Sequence, residues 1–363
     1  RRHTRLQGDW SSDVCSSDLW DYPADLAGSL QAASLVPGAI ELRNADRCVF
    51  HGCTIHQIAQ YGVEFSEGCH QNAVIGCSIH DMGAGGMKVG HEGHPGQAGV
   101  YEDIPNSKRN LPQAVTIADN NIHHGGHIFP SAVGVWIGNA GRNRVVHNHI
   151  HHLQYTGISC GWVWGYEPSR AMDNRIEANH VHDIATDHRL CDLGGIYMLG
   201  RQPGSVIRNN HLHDIGGNGI YLDEGSSQIL VEGNLGYKLD FLGFALHYGQ
   251  DNLIRRNIFA LSKVAHFLPP SPERHRGMVF QNNAIYWEQG RFIANPWGGS
   301  DNWQPAYSLC KDNLLWDARG YVDFDFGKST RLEDWQRLGQ HVGTLIADPR
   351  FFDPAGEIGR AHV

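Results

Sequence analysis

No run of about 18 apolar residues occurs in the 363-residue chain, so no helix able to cross a membrane is expected. Basic residues are short as well. Against 38 Asp and Glu stand 29 Lys and Arg, and a net charge of −9 argues against a nucleic-acid partner, which would call for a basic stripe. Helical periodicity of useful length is missing. The eight cysteines include no Cys-x-x-Cys pair, so they suit neither a zinc module nor a disulfide framework, and most read as small buried apolar residues.

Both ends of the chain look foreign. Asp13–Leu19 and Ile358–Val363 resemble two strands of one sequencing adapter translated in frame, so residues 1–19 and 358–363 are set apart as artefact before fold reasoning. What lies between is expected to be a fragment. Residues 20–327 read as an N-terminally truncated catalytic domain, and 328–357 as a C-terminal extension lying on it.

What the chain does have is a repeat. A phrase of the form Asn-x-(Ile/Val/Leu)-His, followed by a polar turn, glycines and a short β-branched or aromatic run, recurs from Cys53-Thr54-Ile55-His56 to Asn210-His211-Leu212-His213. Looser copies follow at Asn234, Asn257 and Asn283. The spacing is that of a solenoid coil of about 23 to 25 residues with insertions. The segments inside each coil, such as Val133 to Ile137 and Ile196 to Leu199, have strand character, so the fold expected is an all-β, right-handed parallel β-helix of about ten coils. At about 4.8 Å per rung it would be a rod roughly 48 Å long.

Stacking makes like residues neighbours. Asn120, Asn148, Asn179, Asn210 and Asn234 are expected to form an internal amide ladder at the turn. Cys53 and Cys77 share that column and are close enough in principle to bond, with stacked free thiols the preferred reading. The column His56, His80, His123, His151, His182, His213 offers one nitrogen per rung and shows no His-x-His plus carboxylate constellation, so it reads as structural stacking. The pairs His123-His124 and His151-His152 are the nearest approach to a metal site. No metal and no cofactor are expected.

Function is sought where the repeat breaks. Loops at Gly90 to Gln113, Gly165 to Met172, Thr186 to Cys191, Val264 to Gly277 and Asn295 to Ala306 carry much of the Pro and aromatic content, including Trp164, Tyr166, Trp297 and Trp303, as the walls of a sugar groove would. In Leu190–Gly225 the pattern Gly195-Ile196-Tyr197-Met198-Leu199 returns as Gly219-Ile220-Tyr221-Leu222-Asp223, replacing a neutral residue with a carboxylate. Registration puts Asp223 in one column with Gly138, Gly161, Leu199 and His247. The preceding outward column runs Glu64, Lys88, Trp136, Ser159, Tyr197, Tyr221, Ala245. Asp192 is out of register with Asp223, and the two meet only if Thr186 to Cys191 folds back over the strand face. A separation near 5 Å would suit a retaining glycosidase, and about 6.5 to 9.5 Å an inverting one.

Five phrases in order carry a resemblance: Val135-Trp136-Ile137-Gly138; Tyr155 to Tyr166; Cys191-Asp192-Leu193-Gly194-Gly195-Ile196-Tyr197; Gly219 to Ser226; and His247-Tyr248-Gly249. Together they resemble the right-handed parallel β-helix glycoside hydrolases of family 141, strongly from about Ala114 to Leu261. That resemblance implies fucosidase- or xylanase-like action on plant cell-wall polysaccharide. A monomer with an oligo- or polysaccharide substrate, outside the cell or in the periplasm, is expected. It implies catalytic carboxylates at Asp192 and Asp223. Glu224, His247, Tyr197 and Tyr221 would neighbour them, with Trp136, Trp162 and Trp164 as sugar platforms. The turn Asp214–Asn218 is shorter than the resemblance leads one to expect. A polysaccharide lyase or epimerase on the same scaffold would need a base and cations, for which Lys88, Arg201 and Arg208 lie too scattered. A non-catalytic carbohydrate-binding solenoid is the other alternative.

Overall fold

The structure, a computed structural model, describes residues 31–92, 110–295, 304–320, 322, 331–351 and 358. Trp297, Trp303, residues 1–19 and most of the insertion after Gly90 lie outside them. Strands of three to ten residues stack into parallel sheets of 10, 10 and 11 strands, the last ending in a two-residue strand, and successive turns of chain contribute one strand to each. This is an all-β parallel solenoid of about ten turns. Its core is a continuous column of Val, Ile, Leu and Phe side chains.

The asparagine ladder explains how the turns hold their register. The residue before each ladder position has a left-handed backbone, with φ of 57° at Asp119 and His147 and 55° at Ala178 and Asn209. That conformation bends the chain sharply between the second and third sheets and leaves backbone groups to be satisfied. Each amide does so. Asn179 Nδ2 donates to Val145 O at 2.9 Å and to Asn210 Oδ1 at 2.9 Å, while its own Oδ1 accepts Asn148 N at 3.0 Å and Asn148 Nδ2 at 3.0 Å. The column runs further than expected, through Asn257 and Asn283 to Asn313, where Asn313 N meets the hydroxyl of Thr344. Cys77 stands at the head of the ladder. Its N–H donates to Asn120 Oδ1 and its sulfur accepts Cys53 N, with both thiols free.

The C-terminal segment closes the last turn. A helix, Leu332–Arg337, buries Trp335 against the core, and Leu345–Ile346 pairs parallel with Leu314–Asp317. Gln340 takes over from the missing next rung by accepting Cys310 N at 2.8 Å and donating to Ser308 O at 2.8 Å.

The predicted columns of the first sheet are observed. Register pairs run Glu64 to Lys88, Lys88 to Trp136, Trp136 to Ser159, Ser159 to Tyr197, Tyr197 to Tyr221 and Tyr221 to Ala245. Openness is the part that differs. Every member of this strip is buried, partly because Gln31–Pro37 crosses it: Lys88 Nζ donates to Ser34 O and Val36 O, and the Tyr61 hydroxyl to Ala32 O. On the third sheet the histidines stack face to face as expected, with ring centroids 4.8 to 5.1 Å apart from His56 through His213. One reading needs correction. His149-Ile150-His151, His180-Val181-His182 and His211-Leu212-His213 are His-x-His pairs, and His149, His180 and His211 stack as a second column beside the first.

Candidate functional site

Asp223 lies midway along the strand Asn218–Ser227, at the point where the repeat's apolar run has acquired an acid. Between the pairs Leu199–Asp223 and Arg201–Ser227 the register shifts, and the chain bulges at Glu224-Gly225. Only glycine fits that bulge. Gly225 has φ +78°, and a Cβ there would lie 2.0 Å from Gly165 O, so the bulge presses directly on the Gly161–Tyr166 turn. Asp223 therefore stays under the surface while Glu224 turns outward.

Three donors converge on Asp223, which is 2 % exposed. Tyr197 donates a short hydrogen bond to Oδ2, Tyr221 donates to Oδ1 at 2.9 Å, and His247 Nδ1 lies 2.9 Å from Oδ1. Burial alone would lift this carboxyl, but the hydrogen bond and charge of His247, with Tyr197 and a backbone N–H, outweigh it and hold Asp223 below the usual carboxylate range. His247 moves the opposite way. Burial works against its charged form, yet Asp223, Glu224 and Glu273 raise it above the ordinary imidazole value. Glu224, half-buried beside Asp223, is pushed up by burial and by its neighbour's charge, and it accepts the Tyr248 hydroxyl at 3.2 Å. The two adjacent carboxyls are thus shifted in opposite directions.

Asp192 comes to the same tyrosines. It sits half-buried in the turn before Gly194–Arg201 with φ 58°, its carbonyl accepts the Tyr155 hydroxyl at 2.7 Å, and its Oδ2 accepts Gln31 Nε2 at 3.3 Å. The hydroxyls of Tyr155, Tyr197 and Tyr221 are raised first by burial and then by the charges of both Asp192 and Asp223. Two acids out of register in sequence thus share one buried tyrosine cluster.

Other expected site residues fall differently. Trp136 and Trp162 are fully buried, tilted against each other at 5.7 Å, with Lys88 over the Trp136 ring and the Trp162 N–H donating to Ser159; neither offers a face to a sugar. They support the floor. Trp164 is half-exposed and meets the edge of Trp162 at 5.6 Å, so it alone of the three can act as a platform. Tyr197 and Tyr221 hold Asp223 from below. Tyr166, expected in a groove wall, forms the rim together with Glu273 and His275, which were not expected there. The Tyr166 hydroxyl donates to Glu273 Oε2 at 2.5 Å and lies 3.1 Å from His275 Nε2, and its ring meets Tyr248 edge-on at 5.8 Å. The available signal was a Glu-Arg-His run, Glu273 to His275, inside a long insertion one rung beyond His247.

Of the three cations weighed for a uronate enzyme, two lie away from the site. Lys88 is sealed 3.4 Å from Glu64 and Arg208 joins Glu177 and Glu232 on the second sheet, while exposed Arg201 donates to the carbonyl of the rim residue Tyr166.

Comparison with known proteins agrees on the scaffold. Residues 169–302 match the family described as a right handed beta helix region. No curated protein matches the chain. A solved glycoside hydrolase is similar at 24 % identity and a TM-score of 0.51, over 61 % of this chain, which spans only 38 % of that enzyme's length. The A-module of the Azotobacter vinelandii mannuronan C-5 epimerase AlgE6 is similar at 13 % identity and a TM-score of 0.50, over 89 % of this chain and 88 % of its own. At such identities the likeness is one of fold.

Proposed function

We propose that this chain is a carbohydrate-active enzyme that hydrolyses glycosidic bonds, in the manner of the fucosidase and xylanase group its phrases resemble. One observation carries the reading: adjacent carboxyls, Asp223 and Glu224, have acidities driven in opposite directions beside a half-exposed histidine and within the tyrosine cluster that Asp192 shares. Environments that push titratable groups apart are how acid and base roles are divided in such sites. Asp223 is the ionised member. Asp192 is the second carboxylate, and Glu224 and His247, both with raised proton affinity, stand beside Asp223 as the proton-handling groups, with Trp164 as the sugar platform. The substrate is a neutral or weakly charged plant cell-wall oligosaccharide, met outside the cell by a monomer.

Incubation with aryl fucosides and xylo-oligosaccharides, followed by reducing-end release and ultraviolet absorbance, tests this directly. New reducing ends without an unsaturated chromophore are expected. An ultraviolet-absorbing product would identify a lyase instead, and saturable binding with no product over long incubation would identify a binding solenoid.

A further inference from the structure

The second histidine column lies on a different sheet from the acidic site and asks for its own explanation. Because the two columns run side by side, each ring of one meets a ring of the other one rung on. His149 Nε2 lies 2.7 Å from His182 Nε2, and His180 Nε2 lies 2.8 Å from His213 Nε2. His211 Nε2 faces the Tyr237 hydroxyl at 3.3 Å instead. The columns are therefore cross-linked nitrogen to nitrogen.

Carboxylates fix which nitrogen carries the proton. His182 Nδ1 lies 2.6 Å from Asp183 Oδ2, and His213 Nδ1 lies 2.7 Å from Asp214 Oδ2. A neutral ring that donates from Nδ1 presents a lone pair at Nε2, so a single proton, or a metal ion, must hold each facing pair together. An imidazole whose far nitrogen donates to a carboxylate is the arrangement that orients metal-bound histidines.

We propose that His149, His180 and His182 bind a divalent transition-metal ion of the zinc class. Their ligand nitrogens all lie within 4.8 Å of one another, and the three rings are half-exposed, which leaves a fourth position for water. At metal–nitrogen distances of about 2.0 to 2.1 Å the ligand nitrogens stand roughly 3.3 Å apart, so the 2.7 Å pair opens by a small ring tilt. Three imidazoles and no oxygen donor select zinc, nickel or copper over calcium or magnesium. The second triad, His180, His211 and His213, shares His180 and has His211 engaged by Tyr237, so one tight ion per chain is the expected stoichiometry.

Calorimetric titration of tag-free, chelator-treated full chain with zinc, and of the same protein with cobalt followed by visible absorption, tests the site. One saturable ion and the visible bands of nitrogen-ligated tetrahedral cobalt are expected. His180→Gln and His182→Gln should each weaken zinc by about tenfold or more, Asp183→Asn by about tenfold, and His56→Gln not at all. Circular dichroism identifies any variant that fails to fold, in which case the others decide. The absence of saturable zinc binding would overturn the proposal, as would binding that survives both ring substitutions or is lost only in His124→Gln.

Discussion

Two faces of the same solenoid treat repetition in opposite ways. On the third sheet one residue recurs rung after rung, from His56 to His213, and the rings stack at a constant spacing. On the first sheet the corresponding strip changes at every rung but one, from Glu64 and Lys88 through Trp136 and Ser159 to the pair Tyr197 and Tyr221 and then Ala245. A repeated residue meets a like ring on the rungs either side, and its remaining nitrogens are met locally, as Asp183 and Asp214 meet His182 and His213. An unrepeated one must find specific partners, and the convergence of Tyr197, Tyr221 and His247 on Asp223 is the result. The contrast also locates the exception on the histidine face. The second column holds histidine on only three rungs, between Asn121 and Leu235, and that local irregularity is where the metal triad stands.

The sharpest way to break this comparison is to neutralise one residue on each face. Asp223→Asn should reduce turnover by about 10² to 10⁴ with folding intact, whereas His56→Gln should leave turnover unchanged. Equal losses in the two would erase the distinction between site and scaffold. Next in size is the interior ladder. Asn179→Ala strips partners from Asn148 and from the carbonyl of Val145 in a fully buried column, and should cost on the order of 3 kcal/mol in chemical denaturation. His213→Gln, on the half-exposed stack, should cost about 1 kcal/mol or less. A ladder variant as mild as the stack variant would show that the amides are decorative.

A smaller effect is set by pH. The depressed Asp223 contributes stability that is complete above its unfolded value of 3.8 and lost as pH falls through its lower folded value. The raised His247 contributes stability that is complete below 6.5 and lost as pH rises through its higher folded value. Their joint contribution is thus complete between pH 3.8 and 6.5 and declines on both sides. Melting curves of wild type against His247→Gln should converge outside that window and differ within it. The smallest effect expected is on Glu224, whose weakened acidity should set part of the alkaline limb of the rate profile; Glu224→Gln should flatten that limb.

Much of this was legible in the sequence because a solenoid translates spacing directly into contact. The interval from Asn148 to Asn179 to Asn210 is enough to place the ladder, and the step from Leu199 to Asp223 is enough to place the acid. Features that depend on segments crossing between rungs were not legible. The burial of Lys88 depends on Gln31–Pro37, which no repeat announces. The rim pair Glu273 and His275 comes from an insertion whose path has no periodicity to read. The histidine cross-links were missed for another reason: counting one residue per rung overlooks that His149 reaches the next rung's His182 on the diagonal.

The most direct test of the central claim is a crystal structure of Asp223→Asn soaked with a fucosylated or xylan-derived oligosaccharide. A glycosidic oxygen within hydrogen-bond reach of Asp192 or Glu224, above the tyrosine cluster and against Trp164, is the predicted result. A sugar seated on another face of the solenoid, with that cluster left to protein contacts alone, would contradict it.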